Sequence, residues 1–369
     1  MKRDRIEQRA ARVLTVGFRG TAIPPELHEL LQRGIGGVIL FARNVGSPRD
    51  TLALVRELKQ IAPEPLLVSV DQEGGSVARL RAGFTTLPSL RSVGRTKDAQ
   101  LTRELGGVIG RELRAVGIDL DFAPVLDVDT NPLNPVIGAR SLGAAPALVA
   151  ELGVALALGL DDAGVAACGK HFPGHGDTIQ DSHLALPRLS HTLERLRQVE
   201  LVPFQAAACA GIAAIMTAHV VFEALDPQRP ATLSGAVVGG LLRRELSYDG
   251  LVVSDDLEMQ GVAAAYSIED AVVLGLGAGV DHFLICHSAE RAARAIDAII
   301  RARERGELES VRLEAAERRF ERVLSGYFRP APDEQALEIL GCAAHLAVVE
   351  RIAKQSERDD GTATDPTSR

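Results

Sequence analysis

The run Val165-Ala-Ala-Cys168-Gly-Lys170-His171-Phe-Pro-Gly174-His175-Gly-Asp177 contains the junction on which the fold turns. It opens as a short apolar stretch of strand length, and titratable side chains begin two residues after Cys168. A strand buried on both faces reads as a continuous apolar run rather than an alternating one. The same junction recurs along the chain: residues 66–70 lead into Asp71-Gln-Glu73-Gly-Gly75, residues 213–216 into His219, and residues 251–253 into Asp255-Asp256. Similar runs at 13–17, 37–41, 118–122 and 281–285 complete a set of eight. Between them lie helical patterns such as residues 51–60, with apolar positions three and four apart. Eight such units within about 330 residues predict an α/β chain folded as a single (β/α)8 TIM-type barrel. In such a barrel the strand C-termini converge on one mouth, so the polar residues that follow them gather at one site. A doubly wound open sheet is the alternative. Its dinucleotide form needs a glycine-rich turn between strand and helix, whereas Gly275-Leu-Gly277-Ala-Gly279 precedes a strand.

The remainder of the chain narrows the class. Of 369 residues, 46% are hydrophobic and 24% charged, which excludes a disordered polymer, and the net charge of −8 argues against a binder of nucleic acid. The start, Met1-Lys2-Arg3-Asp4-Arg5, is charged in both senses and does not read as a secretory signal. The most apolar window, 206–222, is shorter than a membrane span and reads as a helix end, a turn and a buried strand. Cys168, Cys209, Cys286 and Cys342 are scattered, as expected for buried, reduced thiols in a cytoplasmic protein. The barrel is expected over residues 1–329. A helical extension follows over 330–356, with one helix from Asp333 to Ser356, and then a disordered polar tail, 357–369. Aromatics make up only 4%, which disfavours a long groove with stacking platforms. Nothing in the sequence calls for a partner chain, and a monomer is the expected state.

Four constellations can carry chemistry. The densest is Lys170-His171-Phe-Pro-Gly174-His175-Gly176-Asp177-Thr-Ile-Gln-Asp181-Ser-His183, on a loop leaving a strand. Its glycines allow sharp bends and close approach to a ligand. Asp181 and His183 are two apart, so in an extended or turned loop the carboxylate can hydrogen-bond the imidazole, select its tautomer and raise the basicity of the other nitrogen. A single histidine there would more often satisfy a backbone carbonyl; a cluster beside a glycine turn points to function. The second is Ser254-Asp255-Asp256-Leu-Glu258, where adjacent acids after a buried strand must be paired or used. Strand alternation predicts that Asp255 faces the mouth while Asp256 serves the following helix. The third and fourth are Asp71 with Arg79 and the stretch Asn131 to Ser141 containing Arg140. With Lys170 and His171 these would line a polar pocket for a small, hydroxyl-rich ligand.

Together the motifs resemble the family 3 glycoside hydrolases, specifically the single-domain bacterial β-N-acetylglucosaminidases of cell-wall recycling. The similarity runs from about Gly36 to Cys286. Its motifs are Gly37-Val-Ile-Leu-Phe-Ala-Arg43-Asn44, Val70-Asp-Gln-Glu-Gly-Gly75, Leu120-Asp-Phe-Ala-Pro-Val-Leu-Asp127, Lys170-His-Phe-Pro-Gly-His-Gly176, Asp181-Ser-His183 and Ser254-Asp-Asp256. The resemblance implies a retaining exo-β-N-acetylglucosaminidase with Asp255 as nucleophile and His183, oriented by Asp181, as acid/base. It further implies Asp71, Arg79, Arg140, Lys170 and His171 as ligands of the terminal N-acetylglucosamine of a muropeptide or related small carbohydrate, with no cofactor and no metal. One departure is Ser76, where arginine is expected after Glu-Gly-Gly. Three rivals remain. A phosphorylase would use the same residues. A metal-dependent barrel hydrolase could draw on His171, His175, His183 and His219, although Lys170 would repel a cation there. A non-catalytic sugar-binding barrel is the third.

Overall fold

The computed structural model describes residues 2–179 and 186–361. All eight expected strands form: β1 (Leu14–Val16), β2 (Gly37–Leu40), β3 (Leu67–Val70), β4 (Leu120–Asp121), β5 (Ala166–Phe172), β6 (Ala214–Thr217), β7 (Leu251–Asp256) and β8 (His282–Ile285). They pair in parallel in chain order, and β1 closes onto β8 in the register Leu14↔Phe283, making a closed barrel. Helices pack outside, several of them started by a capping side chain. Ser47 accepts from Asp50 N–H at the head of Pro48–Ile61, and Ser288 does the same for Arg291 at the head of Ala289–Glu304.

Side chains pointing into the barrel, among them Ile39, Leu67, Leu120, Ala166, Met216, Val253 and Leu284, form one buried cluster. Phe320, Val323 and Leu324 from helix Ser310–Tyr327 join it and stopper the end where the strands begin. A second and larger apolar layer lies between strands and helices. The window 206–222 resolves as expected into a helix end, Gly211 in the left-handed region at φ +70°, and strand β6. Among the described residues no helix is long and apolar enough to cross a membrane.

Four expectations need correction. Strands β5 and β7 run further than expected, so Lys170, His171, Asp255 and Asp256 lie within strands, not in loops beyond them. The extension is not one helix. A short turn of helix, Glu334–Ile339, breaks at Leu340–Cys342 before helix Ala343–Gly361, because Gly341 takes a left-handed φ of +59°. That helix also continues through residues 357–361, expected in the tail, while 362–369 lie outside the described residues. Finally, only Cys168 and Cys286 are buried; Cys209 is exposed.

Candidate active site

The strand C-termini surround a cavity of about 390 Å³ lined by Asp71, Arg79, Arg140, Lys170, His171 and Asp255, the six site residues expected from sequence that fall among the described residues. Asp181 and His183 lie outside the described residues. Strand alternation should send neighbouring side chains to opposite faces, yet Lys170 with His171, and Asp255 with Asp256, line the cavity in pairs. Both pairs fall at register shifts. Between β5 and β6 three steps, Gly169 to Phe172, match two, Ile215 to Thr217. Between β7 and β8 Val253 to Asp256 matches His282 to Leu284. An extra residue in one strand re-aims side chains at such a bulge. Asp256 is therefore not a helix cap: its Oδ1 accepts from Glu258 N–H (3.0 Å) and Cys286 N–H (3.2 Å).

One wall is an alternating array of charges. Lys170 Nζ lies 2.7 Å from Asp71 Oδ1 and 2.6 Å from Glu73 Oε1. Arg140 grips Glu73 with two bonds of 2.8 Å, and Arg79 stands 3.6 Å from Asp71 Oδ2. Glu73 is fully buried; burial would raise its pKa, but Lys170 and Arg140 bring it down to about 2. It was not among the expected site residues, although it sits in the quoted string Asp71-Gln-Glu73. Its work is to hold the two cations in place, so that their remaining N–H donors and Asp71 face the cavity. Ser76 is exposed and its carbonyl accepts from Arg81 Nη2 (3.0 Å), so the departure from the family pattern leaves this wall intact.

The adjoining wall rests on Asp127, also missed from sequence. Its wholly buried carboxylate accepts His171 Nδ1–H (2.7 Å), His171 N–H (3.2 Å) and His175 N–H (2.6 Å). That fixes the proton of His171 on the nitrogen away from the cavity. His175 bonds Thr178 through Nδ1 (2.8 Å), and burial lowers its pKa to about 4. The glycines here serve a different contact from the ligand approach expected of them. Gly174 adopts φ +138°, and a Cβ on Gly176 would stand 1.8 Å from the Val128 carbonyl oxygen. The close approach is between the loops that follow β4 and β5.

Asp255 lines the same cavity. Its Oδ1 accepts from Asp256 N–H at 2.8 Å. Burial alone would raise its pKa, but His171, the Asp256 N–H and Lys170 pull the other way, and the carboxyl sits below the usual range. Asp256 goes the other way, pushed up to about 7 by burial and by the nearby carboxylates of Glu258 and Asp255. One ionised carboxylate beside one that keeps its proton to neutrality is an arrangement suited to nucleophilic work by the first. Among the described residues Phe41 is the one aromatic carbocycle on the cavity lining, with the Arg43 guanidinium 4.2 Å from its centroid. Among the described residues no group of three or more His, Cys, Asp or Glu side chains is placed to hold a metal ion.

The sequence profile of the glycosyl hydrolase family 3 N-terminal domain matches residues 5–323. A beta-hexosaminidase of Thiobacillus denitrificans is 47% identical over 264 residues, 70% of this chain and 73% of that protein. Among solved structures, a family 3 β-N-acetylglucosaminidase from Paenibacillus sp. superimposes with a TM-score of 0.89 at 41% identity. It covers 95% of this chain and 68% of its own. NagZ from Neisseria gonorrhoeae gives 0.79 at 32% identity over 94% of this chain and 98% of its own.

Proposed function

The chain belongs to glycosyl hydrolase family 3 and is a glycoside hydrolase, and on that premise we propose that it removes terminal, non-reducing N-acetylglucosamine from β-N-acetylglucosaminides with retention of configuration. The natural substrate is a muropeptide fragment released from peptidoglycan, and the compartment is the cytoplasm, consistent with four unpaired thiols. The observation that carries this reading is the Asp255 carboxylate, oriented by a backbone N–H, facing the same small cavity as Asp71, Arg79, Arg140, Lys170 and His171.

In this scheme the five ligands hold the sugar hydroxyls and Asp255 attacks the anomeric carbon. His183 delivers its proton to the departing glycosidic oxygen, with Asp181 steadying the imidazolium. The C1–O bond to the leaving group breaks as the bond to Asp255 Oδ forms. Water then enters, gives its proton back to His183 and releases the sugar from Asp255. A histidine in place of the usual second carboxylate is chemically sound, since an imidazole with a pKa near ~6.5 both gives and recovers a proton at neutrality.

Four measurements test it. A fluorosugar inactivator of N-acetylglucosamine configuration should label Asp255, and Asp255→Ala should abolish turnover of an aryl N-acetyl-β-glucosaminide; a label on another residue overturns the assignment. His183→Ala should lower kcat/KM for substrates with poor leaving groups by about 10²–10⁴-fold while sparing kcat/KM for activated ones. Equal losses on both would remove the acid role. Product analysis in phosphate buffer separates hydrolysis from phosphorolysis, because only the latter yields the sugar 1-phosphate.

A further inference from the structure

His219 is a buried titratable side chain that the chemistry above leaves idle. It lies two residues beyond the end of strand β6 with no solvent exposure, and both ring nitrogens are engaged. Nε2 lies 3.0 Å from the Asp256 carbonyl oxygen and Nδ1 lies 2.9 Å from Thr232 Oγ1. A carbonyl can only accept, so the ring proton resides on Nε2 and Nδ1 accepts from the Thr232 hydroxyl. Thr232 accepts in turn from Thr217 Oγ1–H at 2.9 Å, and its other acceptor, the Ala218 carbonyl, is further away at 3.1 Å. Burial lowers the basicity of the imidazole and keeps it neutral, the form this pattern requires.

The need for such a chain follows from the bulge. Ser254 pairs with Thr217 on the β6 side, but toward β8 the ladder skips from Val253 to Asp256. Asp255 thus stands where regular pairing is interrupted, and side chains supply the missing constraint. The Ser254 hydroxyl accepts from Leu284 N–H (3.2 Å), and His219 holds the carbonyl of the residue whose N–H grips Asp255 Oδ1. We propose that His219 is a positioning residue: through the series Thr217–Thr232–His219–Asp256 it fixes the bulged end of β7 and hence the aim of the Asp255 carboxylate. The inference rests on Asp255 being the nucleophile.

The test uses the full chain, an activated aryl N-acetyl-β-glucosaminide and the fluorosugar inactivator. His219→Leu should lower kcat and the inactivation rate about 10²-fold, with KM within about twofold of wild type. His219→Gln, whose side-chain N–H can reach the same carbonyl, should recover to within about tenfold of wild type. Thr232→Val keeps the shape and loses only the hydroxyl; it should lose about fivefold in kcat. Thermal midpoints report folding, and if His219→Leu does not fold, Thr232→Val decides alone. Unchanged kcat and inactivation rate in the folded variants overturn the proposal. So do equal losses in His219→Leu and His219→Gln, or a loss confined to KM. Peptide mapping of the inactivated wild type separates the two readings. A label away from Asp255 refutes the nucleophile assignment, whereas a label on Asp255 with unimpaired variants refutes only the positioning role.

Discussion

A carboxyl group sealed from water either meets cations or keeps its proton, and both outcomes occur beneath the cavity. Glu73 lies between Lys170 and Arg140 and stays ionised. Asp121, equally buried, has one oxygen on Gln72 N–H (2.9 Å) and the other without a partner among the described residues. Burial, with Asp71 and Glu73 nearby, pushes it up to about 8. An acid whose pKa is raised by folding contributes stability that is complete below its unfolded value of ~3.9 and is lost as pH rises toward the folded one. Asp121→Asn should therefore stabilise the protein increasingly between pH 4 and 8, by about 1.4 kcal/mol per pH unit. Thermal midpoints across that range check it, and a constant difference would contradict it. Lys170, His171 and Asp255 were legible in the sequence because titratable residues rarely follow apolar strands without reason. Glu73 and Asp127 were not: Arg140 lies 67 positions from Glu73 and His171 lies 44 from Asp127, and no local pattern records which carboxylate meets which cation.

At the scale of elements, two bulges decide what the strands present. Period-two alternation correctly placed Asp255 on the cavity, but it assigned Asp256 to a helix because a bulge leaves no trace in hydrophobic patterning. The glycines of the β5 loop tell a similar story. Their presence signalled close approach; the surface approached, the Val128 carbonyl, could be known only once β4 and β5 lay side by side. Gly176→Ala forces that backbone contact apart. It should cost about 1–3 kcal/mol in chemical denaturation and lower kcat/KM, since the loop descends directly from Lys170 and His171. Wild-type stability in this variant would show that the loops can part freely.

For the whole molecule, the count of eight apolar runs was enough to predict the barrel, because each run is buried on both faces and carries its own signal. The extension was read less well, since its placement depends on contacts that the segment does not encode alone. Buried Glu112 on helix Ala99–Ala115 accepts from Thr85 Oγ1–H (2.6 Å), Gly341 N–H (2.9 Å) and His345 Nδ1–H (2.8 Å), tying the last helix to the barrel. His345→Ala should destabilise the fold by about 1–3 kcal/mol while leaving kcat on an aryl glycoside unchanged; a fall in kcat would mean that the extension reaches the site. The stoppered barrel has one more consequence, for traffic. Met216, Leu284 and Cys286 belong both to the packed interior and to the cavity lining, and helix Ser310–Tyr327 seals the end below. A vessel closed at its base is entered and left through its mouth, the doorway here. Under the exo reading, the aglycone stands nearer that doorway and departs first; the liberated sugar leaves last by the route it entered, and as it accumulates it queues against fresh substrate for the same space.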